Sequence, residues 1–143
     1  MKLQKYCAIQ DRCHQDVRNK LFKLKIYGDD QEEIIADLIS DGFLNEERYA
    51  RSFARGKFRM NQWGRIKIRQ ALAQKRVSEY CINAGLDEID EEEYKEMIRT
   101  LIDKLSNRYS GENAMVKRNK VYQALLRKGF ESYMIMPQLD GNI

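Results

Sequence analysis

One apolar spacing occurs three times along this 143-residue chain. The three copies are Val17-x3-Leu21-x4-Ile26, Ile68-x3-Leu72-x4-Val77 and Val121-x3-Leu125-x4-Phe130. A second pattern follows each copy, as Ile34-x3-Leu38, Tyr80-Cys81-Ile82-x3-Leu86 and Tyr133-Met134-Ile135-x3-Leu139. Repetition at this interval is typical of modular helical arrays, in which each module needs its neighbours to complete a core. The chain is therefore expected to fold as a helical repeat protein, which suits binding along a large partner.

Helix boundaries can be predicted from periodicity, capping residues and glycines. Apolar residues at i, i+4 and i+7 predict amphipathic helices. Asn45 and Asp90 precede acidic pairs and are predicted N-caps. The predicted helices span 3–12, 14–26, 31–42, 45–61, 64–76, 78–86, 90–108, 113–129 and 131–139. The only proline, Pro137, is expected to end or kink the last of them.

A third repeated pattern sets where the modules begin. Leu44-Asn45-x3-Tyr49-x3-Phe53 matches Ile89-Asp90-x3-Tyr94-x3-Ile98, and Tyr6 is a weaker match in the first module. The prediction is an all-α fold, an elongated and curved array of three tandem three-helix repeats with about nine helices. The predicted repeats cover residues 1–43, 44–88 and 89–143.

Composition limits the class of protein further. Hydrophobic residues make up 43% of the chain and charged residues 34%, which predicts a folded domain rather than a disordered one. No apolar run approaches the ~18 residues of a membrane span, and the N-terminus lacks the apolar core of a signal peptide. Three cysteines without a regular framework suit a reducing compartment. A cytoplasmic protein is expected.

Charge is segregated by sign along the chain. Residues 29–47 contain only acidic charges, residues 48–76 only basic ones, and residues 79–96 are acidic apart from Lys95. A second basic run covers 117–128. Such blocks indicate interaction surfaces, because solvated faces usually mix the two signs; a solvated face remains the alternative.

The basic blocks supply the candidate partner-binding residues. Four arginines from Arg48 to Arg59 are spaced to share one helix face, and Trp63 lies at the corner between two basic helices. That tryptophan is either a core residue or an exposed contact. The candidates are Arg48, Arg51, Arg55, Lys57, Arg59, Trp63, Arg65, Lys67, Arg69, Lys75, Arg76, Lys117, Arg118, Lys120, Arg127 and Lys128.

No residue pattern predicts catalysis, a metal or a cofactor. His14 is the only histidine, and Cys7 and Cys13 fall on different faces of any helix, so a zinc site lacks ligands. The acidic run after Asp90 is better explained by helix capping than by paired catalytic carboxylates. Neither a glycine-rich phosphate loop nor a serine, histidine and aspartate arrangement is evident. The chain is not expected to be an enzyme.

Several motifs resemble those of the RecX family, which regulates the RecA recombinase. They are Asp41-Gly42-Phe43-Leu44-Asn45-Glu46-Glu47-Arg48-Tyr49-Ala50-Arg51-Ser52-Phe53, Asn61-Gln62-Trp63-Gly64-Arg65-Ile66-Lys67-Ile68-Arg69-Gln70-Ala71-Leu72-Ala73-Gln74-Lys75-Arg76-Val77, Cys13-His14-Gln15-Asp16-Val17-Arg18-Asn19-Lys20-Leu21 and Tyr122-Gln123-Ala124-Leu125-Leu126-Arg127-Lys128-Gly129-Phe130. They occur in order over nearly the whole chain. The family consists of tandem three-helix repeats, in agreement with the repeats found above.

The resemblance implies a bacterial cytoplasmic regulator in DNA recombination, DNA repair and the SOS response. Its partner would be RecA and the RecA filament on single-stranded DNA. It would inhibit filament growth, ATP hydrolysis and strand exchange by binding in the filament groove or capping its end. Weak binding to single- or double-stranded DNA is also implied. A monomer with no membrane contact and no small-molecule substrate is expected.

The basic helix near 65–76 leaves a second function open. It could place the chain among DNA-binding proteins of helix-turn-helix type that tolerate any sequence. The two functions share the basic residues and differ in whether recombinase or naked DNA binds to them.

Overall fold

Nine α-helices make up the regular structure of residues 2–141, which a computed structural model describes, with side chains from Leu3 onward. They are α1 (Lys2–Ile9), α2 (His14–Lys23), α3 (Gly28–Ser40), α4 (Glu46–Asn61), α5 (Arg65–Gln74), α6 (Glu79–Leu86), α7 (Glu91–Arg108), α8 (Ala114–Arg127) and α9 (Ser132–Gly141). The predicted all-α class with nine helices is confirmed.

Most helix ends lie within three residues of their predicted positions. The predicted N-caps are correct, since Asn45 Oδ1 accepts from the Arg48 N–H at 2.9 Å and the Asp90 carboxylate accepts from the Glu93 N–H at 3.0 Å. Of the two effects expected of Pro137, ending α9 or kinking it, the first does not occur. That proline lies inside α9, which continues to Gly141. One missing N–H removes a single helical hydrogen bond, which the packed residues Ile135 and Leu139 on either side outweigh.

Three equivalent corners use the left-handed backbone conformation. Lys25 (φ 61°), Arg76 (φ 60°) and Gly129 (φ 94°) each precede the last apolar residue of one repeated pattern. This conformation lets the chain turn sharply after α2, α5 and α8. Only the third corner uses glycine, the residue that adopts it without steric cost.

The chain forms two compact units. Unit 1 comprises residues 1–55 and 70–88, and unit 2 comprises 56–69 and 89–143, so that α4 and α5 contribute to both. One cluster of buried side chains lies in the first part of unit 1. Its members are Leu3, Cys7, Val17, Leu21, Ile35, Leu38 and Leu44. The division into three repeats at 43/44 and 88/89 stays a prediction.

The core of unit 2 is built around Tyr94. Its ring centroid lies 5.8 Å from that of Phe58 and 5.3 Å from that of Phe130, and all three side chains are almost fully buried. Burying three aromatic rings removes several hundred square ångströms from water. The Tyr94 hydroxyl donates to Glu131 and accepts from the Arg65 N–H at 3.0 Å, so the polar end of this buried ring is satisfied.

Candidate binding surfaces

The arginine face of α4 lies in unit 1 and comprises Arg48, Arg51 and Arg55. Arg48 Nε is 2.7 Å from an Asp11 oxygen, and Arg51 Nη1 is 2.9 Å from a Glu88 oxygen. Arg55 Nη1 lies 3.5 Å from the other oxygen of Glu88. These are three of the four arginines predicted to share a face, and carboxylates from distant parts of the chain face each of their guanidinium groups. The fourth, Arg59, belongs to unit 2.

Close packing of α6 on α4 places Glu88 beside these arginines. Gly85 packs so tightly on Ala50 that a Cβ on Gly85 would lie 2.6 Å from the Ala50 carbonyl oxygen. Glu88 follows within three residues and donates its N–H to the Gly85 carbonyl at 3.1 Å. An open surface cavity of about 260 Å³ lies beside these arginines. It is lined by Asn45, Glu47, Arg48, Arg51, Ser52, Arg55 and Glu88.

Two further predicted arginines are paired within unit 2. Arg59 Nη2 is 3.3 Å from a Glu93 oxygen at the surface. Arg65 is different because its side chain is only 20% exposed; it contacts Glu131 at 2.7 Å and Glu91 at 3.1 Å. Its guanidinium carbon also stacks 4.0 Å above the Tyr94 ring centroid. Although burial alone lowers the pKa of Arg65, Glu131 and its other anionic neighbours raise it overall. Arg65 thus has an internal structural role.

Trp63 is half-buried at the corner between α4 and α5, within unit 2. The Lys67 ammonium lies 4.5 Å and the Lys57 ammonium 4.9 Å from the indole ring, within cation–π range. The residue is neither fully buried nor fully exposed, and its role as a partner contact stays a prediction.

Two glycines bring this corner against the α8–α9 corner of unit 2. The Gly64 N–H donates to the Lys128 carbonyl at 2.7 Å, and the Ile66 N–H donates to the Gly129 carbonyl at 3.0 Å. A Cβ on Gly64 would overlap the Gly129 backbone, and one on Gly129 would overlap Lys67. Only glycine permits this approach, and the approach places Lys67 beside Lys128.

The lysine cluster comprises Lys67, Lys104, Arg108 and Lys128, all in unit 2. Burial lowers the pKa of Lys128, and the positive charges of Lys67, Lys104 and Arg108 lower it further. None of the four cations has a carboxylate within ion-pair distance in the described part of unit 2. The cluster is therefore a concentration of positive charge that the fold leaves uncompensated.

The other predicted residues are dispersed. In unit 1, Lys75 pairs with Asp16 at 3.2 Å, and Arg76 is exposed. In unit 2, Arg69 and Lys117 are half-buried and Arg127 is exposed. Arg118 pairs with Asp140, and Lys120 pairs with Glu112 at 2.6 Å.

Sequence reasoning missed Lys104 and Arg108 as members of the cluster. They lie outside the basic blocks and are four residues apart on α7. No acidic residue of α7 lies three or four positions from either of them, and Glu112, four positions after Arg108, lies beyond the end of the helix. Lys95 and Arg99 on the same helix do pair, with Glu92 and Glu96. Two unpaired cations one turn apart were the available signal.

The described residues contain no group of three or more histidine, cysteine, aspartate or glutamate side chains placed to hold a metal ion. His14 Nδ1 instead lies 2.9 Å from a Glu46 oxygen, and Cys7 and Cys13 are buried free thiols. Within residues 2–141 no helix has the length and apolarity needed to cross a bilayer.

These features define an all-helical protein with charged surfaces. Two family models match it: "RecX, second three-helix domain" over residues 45–86 and "RecX, third three-helix domain" over residues 91–137. The chain belongs to the RecX family. The prediction that it is not an enzyme is confirmed, because this is a family of regulatory proteins.

Relatives and solved structures agree with this membership. The chain is 30% identical over 135 residues to "Regulatory protein RecX" of Bacillus cytotoxicus and 31% identical over 139 residues to that of Lactococcus lactis subsp. cremoris. These alignments cover 94% and 95% of the chain, which spans about half the length of these relatives (50% and 52%). The crystal structure of RecX from Lactobacillus salivarius superimposes with a TM-score of 0.90 at 31% identity, covering 98% of this chain and 91% of that one.

Proposed function

We propose that this chain is a cytoplasmic regulator that binds the RecA recombinase and its filament on single-stranded DNA. Bound there, it inhibits filament growth, ATP hydrolysis and strand exchange, either by filling the groove or by capping the end. Membership of a family of regulatory proteins supports the regulatory role. The partner and the mode of inhibition come from the family resemblance of the sequence.

The observation that carries the binding surface is the uncompensated lysine cluster. Burial disfavours the charged form of Lys128 in the free protein, and repulsion from the positive charges of Lys67, Lys104 and Arg108 disfavours it further. An anionic partner relieves that repulsion on binding, so the cluster favours the complex over the free chain. Phosphates of DNA within the filament and acidic residues of the recombinase both supply such charge, which also accounts for weak binding to naked DNA.

A charge-reversal pair on α7 tests this proposal. K104E/R108E removes two cations of the cluster, and R99E is the matched control on the same helix, because Arg99 is paired with Glu96. We expect K104E/R108E to weaken binding to RecA filaments by about 10-fold or more and R99E to change it by about 2-fold or less. Strand-exchange and ATPase assays should follow the same order, with circular dichroism verifying the fold. Equal losses in both variants would contradict the proposal.

The helix-turn-helix alternative is less well supported. It depends on cations of residues 65–76, yet Arg65 is largely buried and bound to Glu131, while Lys75 pairs with Asp16. A gel shift with duplex DNA at physiological salt separates the two functions. Tight duplex binding without any effect on recombinase would favour the alternative.

A further inference from the structure

A second anion site, chemically unlike the lysine cluster, lies beside α4 in unit 1. We infer that the cavity there takes a single carboxylate from an acidic side chain of a protein partner, and that Glu88 occupies the place of that carboxylate in the free protein. The inference rests on the proposed function only for the identity of that partner.

Glu88 leaves much of the donor capacity of the arginines unused. Each of its oxygens contacts one nitrogen of one guanidinium, at 2.9 Å for Arg51 and 3.5 Å for Arg55. A guanidinium carries five N–H donors in a fork that fits both oxygens of one carboxylate. Arg55 has no other ion pair in the described part of the chain, and the second contact of Arg51, to Glu47, is long at 3.5 Å. Both arginines therefore have donors available.

Arg48 has a different part in the cavity. Its Nε contacts Asp11 at 2.7 Å, while its Nη1 and Nη2 donate to the Gly42 and Phe43 carbonyls at 3.3 and 3.5 Å. All three of its nitrogen atoms are thus engaged by the fold. Arg48 forms a fixed wall, and recognition is left to Arg51 and Arg55.

Charge and size favour one carboxylate over a nucleic acid strand. Three guanidinium groups and the carboxylates of Glu47 and Glu88 line the cavity, and Asp11 pairs with the guanidinium of Arg48. These charges balance in the free protein, and one net positive charge remains when the Glu88 side chain turns away. A nucleic acid strand carries a charge on every phosphate and would be repelled by both carboxylates. A volume of about 260 Å³ lies below the range of small-molecule pockets and suits an amino acid side chain.

Glu88 is placed so that it can be exchanged. Its side chain is 27% exposed, and the backbone contact between Gly85 and Ala50 holds the main chain without needing the carboxylate. The side chain can turn to water while its backbone stays in place. Its hydrogen bond raises the pKa of Arg51, so Glu88 is the principal anion that an incoming carboxylate must replace.

The test compares E88Q with wild type, using hexaglutamate as the probe and NMR signals of the arginine Nε–H groups as the readout. We expect hexaglutamate to shift the Arg51 and Arg55 signals in both proteins. The midpoint, which is the peptide concentration that gives half of the full shift, should be about 3-fold lower in E88Q than in wild type, because E88Q removes a surface ion pair that the peptide must otherwise replace. E93Q is the matched control, because it deletes an equal charge beside Arg59, outside the cavity. The midpoint of E93Q should equal that of wild type.

Three results would overturn the inference. One is equal midpoints in E88Q and wild type, or no shift in either. Another is a midpoint in E88Q/R55Q that stays as low as in E88Q, although R55Q removes the second guanidinium. The third is stronger shifts with hexathymidylate than with hexaglutamate. Binding of the same variants to RecA separates the two proposals: normal RecA binding without peptide shifts refutes this site alone, whereas peptide shifts without any RecA binding refute the proposed partner alone.

Discussion

The arginine face of unit 1 and the lysine cluster of unit 2 contain similar numbers of cations but differ in what surrounds them. Asp11, Glu47 and Glu88 lie against Arg48, Arg51 and Arg55, whereas no carboxylate lies within ion-pair distance of the described lysine cluster. Surface ion pairs stabilise a fold little, yet they determine which charges are available to a partner. A basic block in a sequence therefore shows where cations are concentrated along the chain. The positions of acidic residues in the tertiary structure determine which of those cations remain available to a partner.

Each region depends on close packing at a glycine, and replacing one such glycine in each region has the largest expected effect. Gly64→Ala forces backbone against backbone at the lysine cluster, and Gly85→Ala does so beside the arginine face. We expect losses of about 3 and about 1–2 kcal/mol in the free energy of unfolding, measured by urea denaturation. The smaller loss reflects the helix propensity that alanine gives α6.

Gly56 provides the control, since it lies in α4 with nothing within 4 Å of a Cβ. Gly56→Ala should stabilise the protein by about 0.5–1 kcal/mol. Equal effects at all three positions would contradict the role assigned to close packing.

Tyr94→Phe tests whether Arg65 is structural rather than available to partners. The hydroxyl of this buried tyrosine accepts from the Arg65 backbone N–H and donates to Glu131, whose carboxylate also binds the Arg65 guanidinium. Its removal should cost about 1–3 kcal/mol in thermal or urea unfolding, because buried polar groups lose a partner. Binding to RecA should be unchanged below the transition. A loss of binding with unchanged stability would place Arg65 in the binding surface instead.

Arg76→Gly compares two corners of the same design. Arg76 holds φ 60° where the equivalent Gly129 of unit 2 holds φ 94°. Glycine removes the steric cost of this conformation, so we expect a gain of about 0.5–1 kcal/mol in unfolding free energy. Gly129→Ala should have the opposite sign. A loss of stability in Arg76→Gly would show that its side chain contributes more than the strain costs.

Lys128→Gln should give the smallest effect and one that depends on pH. Burial and neighbouring cations lower the folded-state pKa of Lys128 below its ordinary 10.5, so the charged form costs stability at neutral pH. That cost decreases as pH rises from the folded-state pKa and is gone above 10.5. The variant should melt about 1–2 °C higher than wild type at pH 7, with no difference near pH 11. The exposed Arg127→Gln is the control, and a gain that persists at high pH would contradict the assignment.

The sequence predicted the helices better than the ionic contacts of the basic residues. Periodicity and the caps at Asn45 and Asp90 act locally, so they located most helix ends. Pro137 does not end α9, because packing of the surrounding residues outweighs one lost hydrogen bond. The pairing of Arg51 with Glu88 spans 37 positions, and the approach of Lys67 to Lys128 depends on two glycine corners. Such contacts are set by tertiary packing, which local patterns do not encode.

Salt dependence of binding is the most direct test of the claim that uncompensated cations make most of the ionic contacts with the partner. Affinity for RecA filaments on single-stranded DNA is measured from low to high salt for wild type, K104E/R108E and R48Q/R51Q. We expect the magnitude of the slope of log affinity against log salt concentration to be smaller than in wild type by about 2 in K104E/R108E and by much less in R48Q/R51Q. A slope that falls only when the paired arginines are changed would contradict it.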